Sequence, residues 1–553
     1  MEHKLLAMKT LNRFLIIAAL FVCTILHAQT APPLTVIVVI DQLPITLITE
    51  NMDLFSEDGF KRLDRDGVFY TECRYRHGVL ETGPGHATIA TGCDPKTHGI
   101  VGNSWRNPDG SEEYCVQCDS SILLVSEVGG VAMGSSNCPD NIMVDGLSDA
   151  WRGKFGADAK IWSMSLKDRA AIAMGGKSPT GVLWSNKGGP FESSTYYFGG
   201  LPSWCRISNE DFWFYDFAWQ AFKESRDFKV SDIEFSSADD MAGQAKPNTF
   251  PIELPSNDSL LLRGYGASLK ASPIGNRWLY GVAKTCITEE KLGEDDTPDL
   301  LWISFSSNDM CGHIYGPLSQ EILDITLRTD KLIAEMLKFL DETVGKGNYF
   351  FALTADHGVC PPFESPKIPE GVGGRFSFKQ MKADLNQELQ SEFDAEAHTS
   401  GEFVAELGIP DVGFDRSVIR QAHLDLRHTA TRAIDWLRTQ PGIDNVVLTM
   451  TAEDVQAIAD STLRSHVANN YFPGRSSDAY LRPLMYWQSD GSTANHGSCN
   501  EYDLHVPLFI MGAPFGHGRS TKTCAPEDLV PTLADALDLR FAVPRDGRSL
   551  LPR

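Results

Sequence analysis

The sequence predicts an α/β fold with a mainly parallel central sheet, helices on both faces and inserted cap regions. Three nearly continuous apolar runs, at residues 34–40, 300–305 and 349–353, support this class, and the first of them is rich in β-branched residues. Such runs are typical of strands that are buried on both faces of a parallel sheet. Segments with a helical pattern lie between the runs, and strands that alternate with helices indicate parallel pairing.

Acidic residues follow each of these runs in turn. The first run ends at Asp41, the second leads to Asp309, and the third leads to Asp356 and His357. Between the second and third runs, residues 323–340 form an amphipathic helical pattern. Open α/β sheets bind their ligands beyond the carboxyl ends of the strands. We therefore expect a functional site at this edge of the sheet.

Two segments differ in composition from the rest and are predicted to be insertions in a catalytic domain that spans residues 34–553. Residues 104–148 are rich in glycine and cysteine and have the character of loops. Residues 361–486 are richer in charge, with helical stretches at 377–394 and 417–438 and a strand at 445–450. We expect this second segment to form a cap.

The N-terminus resembles a signal peptide, predicted at residues 1–28. Lys9 and Arg13 precede an apolar run from Phe14 to Leu26, which is too short to span a bilayer, and cleavage after Ala28 fits the pattern. An uncleaved anchor is the alternative. We expect a periplasmic or secreted protein that has no membrane span once the signal is removed.

The net charge and the cysteine content exclude one class of function and predict disulfides. The formal net charge of −24 argues against nucleic-acid binding, which requires a basic face. The 12 cysteines of an exported chain predict some disulfides. Cys115 and Cys118 form a C-x-x-C, but no second pair lies nearby, so a structural role is favoured over zinc or redox chemistry.

Carboxylates and imidazoles gather near the predicted strand ends. A lone aspartate after a strand is often only a helix cap, but the joint occurrence is more specific. Three carboxylates and three imidazoles suit two zinc ions, whereas magnesium and calcium prefer oxygen ligands alone. The candidate ligands are Asp41, Asp309, His313, Asp356, His357 and His496.

A candidate nucleophile lies in the segment at residues 81–92, which has the pattern of a loop entering a helix. Thr82 is expected just before the helix start, where unpaired backbone N–H groups and the helix dipole favour a phosphate. A zinc ion bound to its hydroxyl would lower the hydroxyl pKa and create a nucleophile. The alternative is that Thr82 is an ordinary helix cap.

Taken together, these motifs resemble the alkaline phosphatase superfamily. The similar motifs are V-I-D ending at Asp41, T-G-P-G-H-A from Thr82, N-D-x-x-G-H ending at His313, A-D-H-G at residues 355–358 and N-H-G around His496. Their order and spacing are most similar to the periplasmic phosphate-irrepressible alkaline phosphatases, which use threonine in place of serine. The resemblance implies an alkaline-phosphatase-like sandwich.

The resemblance also implies specific roles. One zinc would be held by Asp309, His313 and His496, and the other by Asp41, Asp356, His357 and Thr82. Asn103 would donate a hydrogen bond to a phosphoryl oxygen, and Lys167 with Arg169 would hold the remaining phosphoryl oxygens. A paired cation suits the two charges of a monoester dianion. Without the other motifs, Lys167 and Arg169 would be interpreted as a solvated surface pair.

The function implied is an exported, zinc-dependent phosphomonoesterase that releases inorganic phosphate from small-molecule monoesters through a phosphothreonine intermediate. A phosphodiesterase or nucleotide pyrophosphatase of the same superfamily is the first alternative, and Lys167 with Arg169 argues against it. A non-catalytic periplasmic protein that binds phosphorylated ligands is the alternative from another class. Sulfatases are disfavoured because the sequence has no C-x-P-x-R or S-x-P-x-R motif.

Overall fold

The computed structural model describes residues 31–126, 130–185, 189–210, 218–219, 252–253, 269–393 and 401–551. The predicted signal peptide, residues 1–28, lies outside the described residues. In the described part, no helix is both long and apolar enough to cross a lipid bilayer.

The strands are numbered in chain order. They are β1 (Leu34–Ile40), β2 (Val68–Arg74), β3 (Ser104–Arg106), β4 (Glu112–Tyr114), β5 (Leu123–Ser126), β6 (Gly130–Ser135), β7 (Ile161–Ser165), β8 (Gly181–Trp184), β9 (Ser193–Ser194), β10 (Ala218–Trp219), β11 (Ile252–Glu253), β12 (Asp299–Phe305), β13 (Tyr349–Thr354), β14 (Gly374–Phe376), β15 (Val404–Leu407), β16 (Asp411–Phe414), β17 (Ile443–Leu448), β18 (Ala479–Pro483), β19 (Trp487–Ser489), β20 (His505–Met511) and β21 (Gly518–Ser520).

The α-helices are numbered in the same way. They are α1 (Ile45–Thr49), α2 (Phe60–Asp66), α3 (Thr82–Thr91), α4 (Pro95–His98), α5 (Leu147–Phe155), α6 (Asp168–Gly175), α7 (Ser203–Glu210), α8 (Pro273–Glu289), α9 (Ser307–Tyr315), α10 (Gln320–Leu340), α11 (Phe378–Phe393), α12 (Arg416–Gln421), α13 (Leu426–Leu437), α14 (Ala452–Gln456), α15 (Ser461–Asn470), α16 (Glu501–Leu504) and α17 (Leu529–Leu537).

Eight strands form the central sheet in the order β21-β2-β20-β13-β1-β12-β7-β8. All of its pairings are parallel except the two that involve β20. Every residue of β1, β12 and β13 is buried, as their apolar runs predict, so both faces of the sheet are covered. The predicted α/β class with a mainly parallel sheet is confirmed.

A second, smaller sheet has the order β15-β16-β18-β17 and is antiparallel throughout. It packs with α11 and α13 around its own hydrophobic cluster, which includes Leu389, Phe414 and Leu437. The predicted helix at 417–438 is two helices, α12 and α13. They are separated by His423, whose φ of 59° is incompatible with a continuous helix, and Asp425 caps α13 by accepting a hydrogen bond from His428 N.

The glycine- and cysteine-rich segment at 104–148 contains the β3–β4 hairpin and the antiparallel pair β5–β6. The C-x-x-C does not close on itself. Instead, Cys118 forms a disulfide with Cys138, across a sequence separation of 20 and with the two Cα atoms 5.6 Å apart. Cys115 is buried, and its sulfur lies close to Gly83 in α3. The cysteines therefore hold this segment together and against α3.

Candidate active site

The three predicted acidic positions lie together because of strand order. β12, β1 and β13 are neighbours in the central sheet and run parallel, so their carboxyl ends meet at one edge. Asp41 directly follows β1, Asp356 follows β13, and Asp309 lies in the first turns of α9, just after β12. Every predicted site residue, from Asp41 to His496, belongs to the described part of the chain.

Asp309, His313 and His496 form the first group of candidate metal ligands. The Nε2 atoms of the two histidines are 3.2 Å apart, and His313 Nε2 is 3.2 Å from Asp309 Oδ1. Tetrahedral zinc with bonds of about 2.0–2.1 Å requires ligand atoms about 3.3 Å apart. His496 Nδ1 donates to Leu80 O at 2.8 Å, which directs the Nε2 lone pair toward the group.

Asp41, Asp356 and His357 form the second group, and all three are fully buried. His357 Nε2 lies 3.5 Å from both Asp41 Oδ1 and Asp356 Oδ2. Within the part of the chain that the structure describes, none of these three atoms has a hydrogen-bond partner, although a buried polar atom normally has one. His357 Nδ1 donates to Gly358 O at 2.9 Å, so the other ring nitrogen is left as an acceptor.

The protonation of these side chains also suits metal ions. Burial lowers the pKa of His357, and burial together with His357 and His313 lowers the pKa of His496 well below its usual value. Burial and Asp356 raise the pKa of Asp41 well above its usual range, because carboxylates crowd together without enough positive charge. Neutral imidazoles and crowded buried carboxylates are what bound cations require, and the nitrogen–oxygen mixture fits zinc.

The two groups share one pocket. The rings of His357 and His496 stack with their centroids 3.9 Å apart. Lys167 Nζ lies 2.7 Å from Asp41 Oδ2 of the second group and 2.6 Å from Asp309 Oδ2 of the first. The residues present therefore fit two neighbouring zinc ions.

Thr82 is the first residue of α3, one position later than the sequence pattern predicts, and its side chain is buried. Its hydroxyl oxygen lies 3.2 Å from Lys167 Nζ and 3.3 Å from Arg169 Nη2. Gly85 lets this end of the helix approach the second group, because a Cβ there would lie 2.3 Å from Asp356 O. The hydroxyl thus lies at a helix N-terminus between two cations, where a phosphate is favoured.

Asn103 lies beside the same helix end. Its Oδ1 accepts a hydrogen bond from Gly83 N at 2.8 Å, and its backbone N donates to Glu81 Oε2 at 2.7 Å. These two bonds fix the residue on both sides of Thr82. With Oδ1 occupied, the Nδ2 group of Asn103 is the part of the amide that can donate to a phosphoryl oxygen.

Lys167 and Arg169 are not a surface pair. Burial by itself would lower the pKa of the Lys167 ammonium, but Asp309 and Asp41 raise it, so the lysine remains charged. The opposite effect holds at Asp309, where burial is outweighed by Lys167 and His313, and its pKa falls well below the usual range. The pKa of Arg169 is raised by Tyr114 and Asp168 despite the opposing effect of burial.

Two residues of the site were not predicted from the sequence. Gln42 N donates to Asp356 Oδ1 at 3.1 Å, and Gln42 Nε2 donates to Asp309 Oδ1 at 2.8 Å, so this residue contacts both ligand groups. His86 Nδ1 lies 2.8 Å from Thr82 O and 3.3 Å from Asp356 Oδ2. Both could have been predicted, because Gln42 directly follows Asp41 and His86 belongs to the motif that begins at Thr82.

Lys270 is a third such residue, and no local signal in the sequence marks it. It is buried, and its Nζ donates to Leu166 O at 2.9 Å and to Ser185 O. The first of these bonds holds the backbone just before Lys167. Burial lowers the pKa of Lys270 to about 7.

Chemically, the site combines an alcohol at a helix N-terminus, two fixed cations and two sets of metal-ligand atoms. This arrangement can bind a phosphoryl group by its non-bridging oxygens and attack it with an alkoxide.

Comparison with known proteins gives consistent relatives. A family model described as type I phosphodiesterase / nucleotide pyrophosphatase matches residues 35–368. The chain is 30% identical over 528 residues to alkaline phosphatase PhoV of Synechococcus elongatus, a match that covers 92% of this chain and 90% of that protein. It is 32% identical over 531 residues to a Myroides odoratus protein named calcium-transporting ATPase, with 92% of each chain covered.

Among solved structures, the chain is similar to the crystal structure of wild-type alkaline phosphatase PafA. The TM-score is 0.83 with 27% sequence identity, and the match covers 95% of this chain and 99% of that one. The likeness therefore extends over the central sheet and the smaller antiparallel sheet alike.

Proposed function

The chain belongs to the type I phosphodiesterase / nucleotide pyrophosphatase family of the alkaline phosphatase superfamily and is an alkaline phosphatase, and from this premise we propose how its residues act. In our proposal it hydrolyses small-molecule phosphate monoesters with Thr82 as nucleophile and two zinc ions as cofactors. Residues 34–553 form the catalytic domain, with insertions at 104–148 and 361–486.

One observation carries the proposal. The buried Thr82 hydroxyl lies at the start of a helix, 3.2 Å from Lys167 Nζ and 3.3 Å from Arg169 Nη2, beside two groups of converging metal-ligand atoms. A structural threonine cap needs neither cation, whereas a cation on each side of a hydroxyl at a helix N-terminus suits an anionic phosphoryl group.

The reaction proceeds in two displacements. Thr82 Oγ attacks phosphorus while the bond from phosphorus to the leaving oxygen breaks, which leaves a phosphothreonine. A water molecule then attacks the same phosphorus, releases inorganic phosphate and restores the hydroxyl of Thr82. Bound zinc would lower the pKa of that hydroxyl and stabilise the charge on the leaving oxygen.

The chain's own residues align the phosphoryl group. Asn103 and Arg169 donate to non-bridging oxygens near the N-terminus of α3. Lys167 neutralises charge at the junction of the two ligand groups, where it already contacts Asp41 and Asp309. Holding the reacting atoms in line contributes more to phosphoryl transfer than any covalent role beyond that of Thr82.

Zinc ions bound as we propose require six ligand side chains besides Thr82, which come from four separate stretches of the sequence. A phosphatase with this N-terminus would work outside the cytoplasm. The pattern of residues 1–28 supports export to the periplasm or the medium.

The test combines metal analysis with substitution of the nucleophile. We expect wild-type protein to bind two zinc ions per chain and to yield a phosphorylated Thr82 peptide when turnover of an aryl phosphate is stopped with acid. Thr82→Ala should keep most of the zinc but lose at least about 10³-fold in kcat, whereas Thr82→Ser should retain much of the activity.

Other outcomes would point elsewhere. Phosphate binding without turnover in the wild type would favour the non-catalytic binding protein. Unchanged turnover in Thr82→Ala would remove Thr82 as nucleophile, and a metal content far from two would contradict the paired site.

A phosphodiesterase is the second candidate, because the matching family model carries that name. The two candidates differ in their preferred substrate. If the monoesterase proposal is correct, wild-type kcat/KM is higher for an aryl phosphate than for the matching aryl methyl phosphate. ATP belongs in the same panel, since one relative is named as an ATPase.

A further inference from the structure

Asp168 lies between Lys167 and Arg169 in the sequence, and three hydrogen-bond donors hold its carboxylate. Tyr114 OH donates to its Oδ1 at 2.7 Å, Asn137 Nδ2 donates to its Oδ2 at 2.7 Å, and Arg169 N donates to Oδ1 at 2.7 Å. Both carboxylate oxygens are thus fixed, and Asp168 in turn fixes the first turn of α6, from which Arg169 projects.

Tyr114 also contacts the arginine directly. Arg169 Nη1 lies 3.5 Å from the Tyr114 hydroxyl, while Nη2 lies 3.3 Å from Thr82 Oγ. The hydroxyl therefore donates to Asp168 and accepts from Arg169. Because a guanidinium is a rigid planar fork, fixing one end fixes the direction of the other.

Asn137 lies within the loop that the Cys118–Cys138 disulfide closes, and Tyr114 lies just before Cys118. Tyr114 O accepts from Gln117 N at 2.8 Å on one side of the disulfide. Asn137 directly precedes Cys138 and forms a β-bridge with Gln117. The disulfide therefore ties together the two stretches of chain that reach Asp168.

We propose that Tyr114 is a positioning residue that, with Asp168, aims Arg169 at the phosphoryl group, and that the Cys118–Cys138 disulfide keeps Tyr114 and Asn137 against Asp168. The inference rests on the proposed function, because it assumes that Arg169 binds substrate. It makes preference for monoesters depend on a segment outside the central sheet. The second charged oxygen that Arg169 would bind exists in a monoester dianion but is esterified in a diester.

Tyr114→Phe tests the hydroxyl alone. We expect kcat/KM for an aryl phosphate to fall about 10-fold, with a change of less than about 2-fold for the matching aryl methyl phosphate, since a hydrogen bond to a charged group is lost. The inhibition constant of inorganic phosphate should rise in parallel. Tyr196→Phe is the matched control, because it removes a hydroxyl that donates to the Lys177 carbonyl at 3.3 Å, away from Asp168 and Arg169.

The disulfide is tested with Cys118→Ala/Cys138→Ala, which should show the same selective loss. Adding Tyr114→Phe to that background should cost less than it does in the wild type, because the two changes act on one network. If the disulfide variant keeps full monoester activity, the part of the inference that concerns the disulfide is wrong.

Lys167→Ala/Arg169→Ala is the reference that separates this inference from the proposed function. A large monoester-selective loss in the reference, with equal losses on both substrates or none in Tyr114→Phe, would overturn the positioning role while leaving the proposed function intact. Equal losses on both substrates in the reference itself would show that Lys167 and Arg169 do not select monoesters, which would overturn their proposed role. Asp168→Asn provides a second variant should Tyr114→Phe fold poorly, and it must show the same selectivity.

Discussion

Gln42 shows how one side chain can join the two metal-ligand groups. Its backbone N–H donates to Asp356 and its side-chain amide donates to Asp309. To make both contacts it adopts a φ of 60°, a strained conformation for a residue other than glycine. A Cβ at position 312 would lie 2.0 Å from Gln42 Oε1, which explains the glycine of the D-x-x-G-H motif.

We expect Gln42→Ala to weaken zinc binding at the Asp309 group by about 10- to 100-fold, because Asp309 Oδ1 loses the amide that orients it. The Asp356 group should change less, since the backbone N–H of residue 42 is retained. Stepwise zinc titration of metal-free protein against a coloured chelator measures both affinities. Gln440→Ala, in the smaller antiparallel sheet region, is the matched control, and equal affinities in Gln42→Ala and wild type would refute this role.

At the scale of elements, α16 forms hydrogen bonds to the loops that carry His357 and His496. Asp503 Oδ2 accepts from Ser498 N at 2.9 Å and Ser498 Oγ at 2.7 Å, close to His496. Asp503 O accepts from Gly358 N at 2.8 Å, next to His357. Burial raises the pKa of Asp503 to about 8, although the bonds from Ser498 lower it.

This pKa gives Asp503 a defined effect on stability. The unfolded chain releases the proton near pH 4, whereas the folded chain retains it to about pH 8. The contribution of Asp503 to stability is therefore complete below pH 4 and is lost as the pH rises through 8, at about 1.4 kcal/mol per pH unit between the two values.

Asp503→Asn, which mimics the protonated acid, should remove this dependence. We expect its melting temperature to fall less than that of the wild type between pH 5 and pH 8. Asp435→Asn, an exposed change of the same charge, should behave like the wild type. A variant with the wild-type pH slope would show that Asp503 does not titrate in this range.

At the scale of the whole molecule, the C-terminal segment closes the fold against α3. Gly547 N donates to Gly92 O, at the end of α3. Arg76 binds two fully buried carboxylates that precede α17, with Nη1 3.1 Å from Glu527 Oε1 and Nη2 2.7 Å from Asp528 Oδ2. Arg76 therefore connects the segment between β2 and α3 to the residues just before α17.

Arg76→Ala should therefore destabilise the fold by about 3 kcal/mol, because buried Glu527 loses this cation and Asp528 keeps only the more distant Arg548 among the described residues, with Nε 3.9 Å from Oδ2. Arg519→Ala, which breaks an exposed pair with Asp64, should cost less than about 1 kcal/mol. Urea unfolding of both variants gives the comparison. Similar midpoints for the two would mean that the buried carboxylates are neutralised in another way.

The sequence by itself determined the class of fold and predicted which residues could form the site. Thr82 and the six candidate metal ligands could be named because each lies in a short motif or directly after an apolar run. Such local features depend on strand burial and on the N-termini of helices, which adjacent residues encode. For the same reason the strands β1, β12 and β13 and the helix α10 were predicted close to their observed bounds.

Only the tertiary structure decided which distant residues meet. It alone shows that β12, β1 and β13 are neighbours, that Lys167 lies between Asp41 and Asp309, and that Cys118 pairs with Cys138 rather than Cys115. Neither Tyr114 nor Lys270 carries a local signal, since their roles arise from contacts across more than 50 residues of chain. Such contacts depend on how whole elements pack, and a pattern of a few adjacent residues does not encode that.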